Sequence, residues 1–375
     1  MKLSEIATAL SARLVGDGSI EVERPVHPSD AASPRDLALA MEPETLALLP
    51  GCPARAALVR EEKGLANGAL AGYIVVGRSR YAMAQLLDLF PRPPHSEPGL
   101  HPTALVDPSA RLAADVRVGP YCCIGPRVTI AAGTVLLAHV TVAADAEIGP
   151  KCLLYPGVRV GERVIVGARV ILHHNASLGA DGFSFVTPEE GNVESAKALG
   201  EIRASTQDLV RTNSIGTVVL ADDVEVGACA CIDRGTVSAT RIGRNTKIDD
   251  LVMIGHNCVI GENCMLCGQV GIAGSTVVGD RVVLGGKVGV ADHLKIGSDS
   301  VIGGGTMIGI NVRPKSLLMG WPPQSPRDTF TTLLTIRRAK RIMSDVEELK
   351  RRLRALDGGG GPAAETASEE DEAQP

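Results

Sequence analysis

Aromatic side chains are scarce in this chain: 2% of 375 residues, with one tryptophan, four tyrosines and four phenylalanines. Rings bury more area per residue than other side chains, so the core must be built from aliphatics. Long apolar runs are missing too. No segment reaches the roughly 20 residues that cross a bilayer, and Glu5 and Arg13 interrupt the first apolar stretch, which excludes a signal peptide. There is no basic surplus either. A net charge of -5 gives no global pull toward nucleic acid or an anionic membrane. The nine cysteines show no paired framework, and Cys264-x-x-Cys267 lacks a second pair at zinc spacing. The expectation is a cytoplasmic protein in a reducing compartment, with no metal site, no cofactor and no transmembrane segment.

What the chain has in abundance is isoleucine, leucine or valine at every sixth position, in two unbroken runs. The first goes from Val106, Leu112 and Val118 to Leu172 and Leu178; the second goes from Ile242, Ile248 and Ile254 to Ile302 and Ile308. Four residues after each aliphatic stands something small or β-branched, such as Cys122, Val128, Thr134, Cys258 and Cys264. Neither a helical nor a two-residue period fits, whereas a hexapeptide-repeat parallel β-helix does. Three hexads make one triangular coil, and a narrow prism of stacked aliphatics has little room for rings. On this reading the inward cysteines are small hydrophobes.

The chain divides into four parts. Residues 1–100 lack the hexad and read as a small α/β domain: a helix over Leu3 to Leu14, buried strands at Ala56–Val59 and Tyr73–Val76, and a helix from Tyr81 to Phe90 stopped by Pro91. A proline-rich linker leads into the β-helix of 101–320. The repeat breaks over about 182–213, and a loop that long inside a solenoid is usually functional. A shorter slip of four residues falls around Asp233-Arg234-Gly235. After a turn at Trp321-Pro322-Pro323, a helix over 327–356 carries Ile342, Val346, Leu349 and Leu353 on one stripe, a spacing suited to the same helix in neighbouring subunits. The acidic, glycine-rich tail from 357 to 375 is expected to be disordered.

A coil of about eighteen residues, stacked at about 4.8 Å, serves as a ruler. It puts His256 and His293 near one face, two coils and roughly 10 Å apart along the axis. Gly274 falls one coil above His256, and Asp249 lies one hexad before it. A lone histidine on a solenoid is ordinarily a solvated surface residue. His256 differs because it opens His-Asn after Ile-Gly and has a carboxylate a hexad away; His139, His173 and His174 lack that context. Two histidines without a third do not make the zinc site of a γ-type carbonic anhydrase, and no glycine-rich nucleotide loop with arginine precedes the repeats, as a fused uridylyltransferase would require.

The order of parts, with Gly179-Ala-Asp-Gly-Phe183, Ile232-Asp-Arg-Gly235, Ile248-Asp249, Ile254-Gly-His256-Asn257, Ala273-Gly274-Ser275 and Arg313-Pro314, resembles the UDP-3-O-acylglucosamine N-acyltransferases of lipid A biosynthesis. The matches spread over about 140 residues. The resemblance implies a left-handed β-helix, a homotrimer with active sites between subunits, and transfer of an (R)-3-hydroxyacyl chain from acyl carrier protein to the 2-amine of a UDP-glucosamine acceptor. It implies no cofactor beyond the phosphopantetheine that carries the acyl group. His256 matches the general base, Asp249 a carboxylate that orients the imidazole or holds the ammonium, and the Gly274 N–H the oxyanion donor. His293, Asn257, Phe183, Phe185 and Arg313 match substrate-contacting positions.

Two departures stand out. Glu42-Pro43-Glu44-Thr45, preceded by Leu39, replaces an Asn-Pro-Lys-Tyr-like stretch whose aromatics hold uracil, and Asp250 replaces an asparagine beside Asp249. The related UDP-N-acetylglucosamine O-acyltransferases are the alternative, as are other hexapeptide-repeat acyltransferases. The hundred residues before the repeats favour the N-acyltransferases.

Overall fold

Each hexad folds as two extended residues and a four-residue turn. Met253–Ile254 is typical: the first side chain points out, the second in. At the following corner Asn257 takes a left-handed φ of 62°, a conformation asparagine tolerates, and Cys258 turns inward and is fully buried. The computed structural model describes residues 1–357 apart from 64, 66, 67, 69, 190, 202–207 and 321–325. The Trp321-Pro322-Pro323 turn and residues 358–375 of the tail lie outside the described residues. The chain divides into two units, Met1–His95 and Ser96–Pro375, close to the boundary expected near residue 100.

In the second unit the hexads stack in register into a prism with three faces of parallel strands. Face one has ten strands, from Leu105–Val106 to Met307–Ile308; face two has nine, from Arg111–Leu112 to Lys295–Ile296; face three has ten, from Arg117–Val118 to Leu317–Leu318. One continuous aliphatic column fills the interior. Each fully buried Leu, Ile or Val contributes about 1.5–3 kcal/mol by transfer from water. The small inward positions add hydrogen bonds: Thr134 and Thr246 donate to the carbonyls of Gly149 and Gly261 at 2.8 Å. Cys258 donates to the Ala273 carbonyl at 3.2 Å, and burial pushes its thiol up to about 11, so it stays a protonated packing group.

Both breaks in the repeat occur at one corner, where face one turns into face two. After the strand Ser177–Asp181 the chain leaves the prism, forms an antiparallel pair between Phe185–Val186 and Val210–Arg211 with the helix Asn192–Leu199 between them, and rejoins at Thr217–Leu220. The four-residue slip lengthens Cys231–Arg234 and delays the next strand to Ala239–Ile242.

The first unit is a five-stranded sheet in the order Arg13–Gly16, Gly72–Val75, Ala56–Val59, Asp36–Ala40, Arg24–Val26, with only the first pair antiparallel. The helix expected over Leu3 to Leu14 stops at Ala9. Ser11 adopts φ 48°, reversing the chain so that Leu14 joins the antiparallel strand. The second helix spans Ser79–Asp88 and ends before Pro91. Leu3, Ile6, Leu37, Leu58, Ile74 and Leu86 pack on one side of the sheet. The buried Asp36 is satisfied by Arg24 Nε at 2.8 Å and by the N–H groups of Ala32 and Ser33 at 2.8 and 3.0 Å.

The C-terminal helix spans Pro326–Asp357. Its Ile342, Leu349 and Leu353 are exposed in the single chain. No helix of the described residues is long and apolar enough to cross a membrane.

Candidate active site

The corner that carries both breaks also carries His256. The imidazole lies between two glycines: a Cβ on Gly182 would meet the His256 Cβ at 2.7 Å, and a Cβ on Gly274 would meet its Cε1 and Nε2 at 2.7 Å. Any side chain at either position would displace the ring. Gly182 comes from the base of the insertion, Gly274 from the coil above.

The neighbouring polar groups assign the tautomer. Asn257 Nδ2 donates to Ser238 Oγ at 3.1 Å, and its Oδ1 accepts the Thr236 N–H at 2.9 Å, so the amide orientation is fixed. His256 Nδ1 is 3.0 Å from that same Oδ1 and must therefore carry the proton; Thr236 Oγ1 stands 3.5 Å from it. Nε2 lies next to Gly274. Among the described residues the Gly274 N–H has no hydrogen-bond acceptor. At the same turn position in other coils a carboxylate or hydroxyl often takes that N–H, as Asp280 does for Glu262 at 2.9 Å and Ser298 for Asp280 at 3.0 Å.

A half-open cavity of about 730 Å³ runs along face one from His256 and Gly274 past Gly289 to Met307, with Phe183 at its lip. Asp233, in the lengthened strand one coil below His256, lines it too and is only 5% exposed. Burial pushes its carboxyl up to about 6, against the opposing pull of His256 and with a further push from Asp181. Phe185 packs edge-on against Phe183 at 5.1 Å. The base of the insertion is tied down by Asp181, which takes Arg211 at 2.5 Å, and by Arg234, whose Nε donates to the Gly179 carbonyl at 2.7 Å.

His256, Gly274, Asn257, Phe183 and Phe185 are thus brought together, as the ruler implied for the first two. Exposed His293 is on the same corner, one coil above Gly274, whose carbonyl accepts its N–H at 3.1 Å; it does not line the cavity. Arg313 stands exposed in the last coil, its carbonyl accepting Ser316 Oγ at 2.7 Å. Asp249 lies elsewhere within the protomer. It follows face three and caps the Gly268 N–H at 2.8 Å, in a separate 590 Å³ cavity with His173, Lys247 and Asp250. Among the described residues no three His, Cys, Asp or Glu side chains are grouped to hold a metal ion.

The residue missed from sequence is Asp233. It lies in the Ile232-Asp-Arg-Gly235 motif, and the slip in the repeat at Asp233-Arg234-Gly235 is the sequence signal that marks it. In the first unit, Leu39 and Thr45, the positions where rings were expected, line one 360 Å³ cavity with His27, Arg80 and Met83.

Residues 239–274 match the family model described as "Bacterial transferase hexapeptide (six repeats)". The chain is 45% identical over 276 residues to a UDP-3-O-acylglucosamine N-acyltransferase of Paracoccus denitrificans, covering 73% of this chain and 75% of that protein. It is 40% identical over 272 residues to the protein of that name from Ruegeria pomeroyi, covering 72% and 75%. Among solved structures, the UDP-N-acetylglucosamine acyltransferase of Arabidopsis matches with a TM-score of 0.51 at 24% identity, over 71% of this chain and 86% of that one. That likeness concerns the fold, a left-handed parallel β-helix.

Proposed function

The chain belongs to the UDP-3-O-acylglucosamine N-acyltransferase family and is an N-acyltransferase, and from that premise we propose that it moves an (R)-3-hydroxyacyl group from acyl carrier protein to the 2-amine of UDP-3-O-(3-hydroxyacyl)-glucosamine in lipid A biosynthesis, with His256 as general base. The observation that carries this reading is His256, its Nδ1 held by Asn257 Oδ1 and its Nε2 beside the unclaimed N–H of Gly274, at the head of a long, largely apolar cavity.

The chemistry follows from those groups. The amine nitrogen attacks the thioester carbonyl, and its proton passes to Nε2. Charge growing on the carbonyl oxygen is met by the Gly274 N–H, a fixed donor that needs no reorganisation. The imidazolium returns the proton to the departing thiol. Asn257 holds Nδ1 protonated throughout, keeping the basic nitrogen on the cavity side. Phe183 and Phe185 cover the pantetheine or the sugar, and His293 and Arg313 contact donor or acceptor from the upper coils.

The working form is a homotrimer. Association of the C-terminal helices would cover the exposed stripe of Ile342, Leu349 and Leu353, and the corner bearing Asp249 would reach an active site only from a neighbouring subunit. The first unit binds the uridine part of the acceptor without an aromatic clamp, through the cavity of Leu39, Thr45, His27 and Arg80. The reaction is cytoplasmic, a placement supported by nine unpaired cysteines.

The test offers acyl carrier protein and coenzyme A thioesters with two acceptors, UDP-3-O-acylglucosamine and UDP-N-acetylglucosamine, and identifies products by mass. Amide formation on the first acceptor from the carrier-bound donor is expected. Ester formation on the second would make the chain an O-acyltransferase and overturn the reading.

A further inference from the structure

Asp233 is a buried carboxylate without a donor. Among the described residues no N–H or O–H group is hydrogen-bonded to it, although it is 5% exposed and lines the cavity with His256. Its oxygens face the open cavity rather than protein donors, since among the described residues the fully enclosed side-chain polar atom without a partner is Ser214 Oγ. Two neighbouring side chains with N–H groups are committed elsewhere. Arg234, the next residue, turns its Nε to the Gly179 carbonyl at 2.7 Å and stands 3.8 Å from Asp181. His256 gives its Nδ1 proton to Asn257 Oδ1 at 3.0 Å. Asp181, engaged by Arg211 at 2.5 Å, adds repulsion rather than relief, and the thiols of Cys231 and Cys258 are held protonated by burial. The raised pKa of Asp233, about 6, is the signature of that missing partner.

We propose that Asp233 is the subsite for the acceptor's amine, accepting one N–H of the sugar's 2-amino group and thereby aiming the nitrogen lone pair at the thioester carbonyl. This rests on the N-acyl transfer reading above. The lengthened strand Cys231–Arg234 is what delivers the carboxylate, because the four-residue slip occurs at this coil and corner. The balance is simple. The neutral amine forms the C–N bond while the carbonyl π pair moves to oxygen at Gly274, and one amine proton goes to His256 Nε2. Collapse of the tetrahedral species restores the C=O bond and breaks the C–S bond, and sulfur leaves as a thiol with the proton from His256. Asp233 accepts a hydrogen bond and exchanges no net proton. Asp249, already capping the Gly268 N–H, is not needed for this role.

The experiment compares the full-length wild-type enzyme with Asp233→Asn, which keeps the shape and removes the charge. Calorimetry at pH 7.5 measures binding of the amine acceptor and of its 2-deoxy analogue, which has hydrogen in place of the amine and so no donor at that position. Wild type should prefer the amine by roughly ten- to a hundredfold, the range of a hydrogen bond to a charged group. In Asp233→Asn, whose amide oxygen is a weaker, neutral acceptor, that preference should fall several-fold, with an unchanged KM for the acyl donor. If Asp233→Asn does not fold, Asp233→Ser is put through the same comparison. A variant that keeps the amine preference overturns the proposal, and so does an equal loss for both acceptors, which is what a purely structural residue would give. A wild-type enzyme that makes no amide from this acceptor sinks the transfer reading instead, so the two failures are distinguishable.

Discussion

Asp36 in the first unit and Asp233 in the second are both almost fully buried carboxylates, 1% and 5% exposed, yet they titrate in opposite directions. Asp36 accepts from Arg24 and from two backbone N–H groups, and those bonds hold its carboxyl below the usual range. Among the described residues Asp233 accepts no hydrogen bond, and burial pushes it up to about 6. The difference separates two uses of one chemical group. Where the fold supplies every donor, a buried carboxylate pins a loop to a strand; where it supplies none beside a cavity, the partner is left to the substrate. Asp249 falls on the structural side of this division within the protomer, since its oxygens already hold the Gly268 and Asp250 N–H groups at 2.8 Å.

Experiment can separate the two uses, and the largest effect is expected at His256, the proposed base. His256→Ala should lower turnover by ~10² to 10⁴, the usual range for loss of a general base, with an unchanged melting temperature, because the half-buried ring fills no core. A variant with more than half of wild-type turnover would remove His256 from the mechanism. Next comes Asp36→Asn, expected to cost about 2 kcal/mol near neutral pH, since it weakens charge-assisted bonds to Arg24 and to two buried N–H groups. Asp36 is depressed in the fold, so its contribution is present above the unfolded value of 3.8 and fades as pH falls through the folded value. Denaturant melts at pH 7 and at about pH 2.5, below the unfolded value, should therefore show the penalty shrinking on the acid side.

Asp233→Asn should act with the reverse sign. A carboxyl raised from 3.8 to about 6 binds its proton more tightly when folded, so its ionisation erodes stability as pH climbs through that window. Removing it should stabilise the protein by on the order of 1–2 kcal/mol at pH 7.5 and by nothing near pH 3.5. Destabilisation at pH 7.5 would mean that Asp233 has a partner after all. The smallest effect is expected on the C-terminal helix. It carries eight Lys or Arg against four Asp or Glu from Asp328 to Leu356, although Arg351 and Arg352 each reach Glu348. Reversing both arginines to Glu should raise the KM for an acidic carrier-bound donor several-fold, in a salt-dependent way, and leave a short pantetheine thioester unaffected. Equal effects on both donors would assign these charges to the helix alone.

Much of this was legible in the sequence because a solenoid repeats one local decision. The six-residue period located the prism, the inward cysteines and both breaks, and eighteen-residue arithmetic placed Gly274 over His256. The first unit was harder to read. Asp36–Ala40 has small or apolar residues on both sides of a buried strand, which leaves no alternation to detect, and the early end of the first helix depends on the single left-handed residue Ser11. Asp233 stood in a quoted motif, but its lack of donors depends on where Arg234 and Asn257 send their hydrogen bonds, which no spacing encodes. Asp249 was one hexad from His256 in sequence, and in a triangular coil one hexad is a different corner.

Measuring amide formation per folded chain for Asp36→Asn and Asp233→Asn side by side, at saturating donor and acceptor, separates a structural carboxylate from one proposed to meet the substrate. Asp36→Asn should keep wild-type turnover despite its lower melting point, and Asp233→Asn should lose at least tenfold despite an equal or higher one. Turnover that follows melting point in both variants would contradict it.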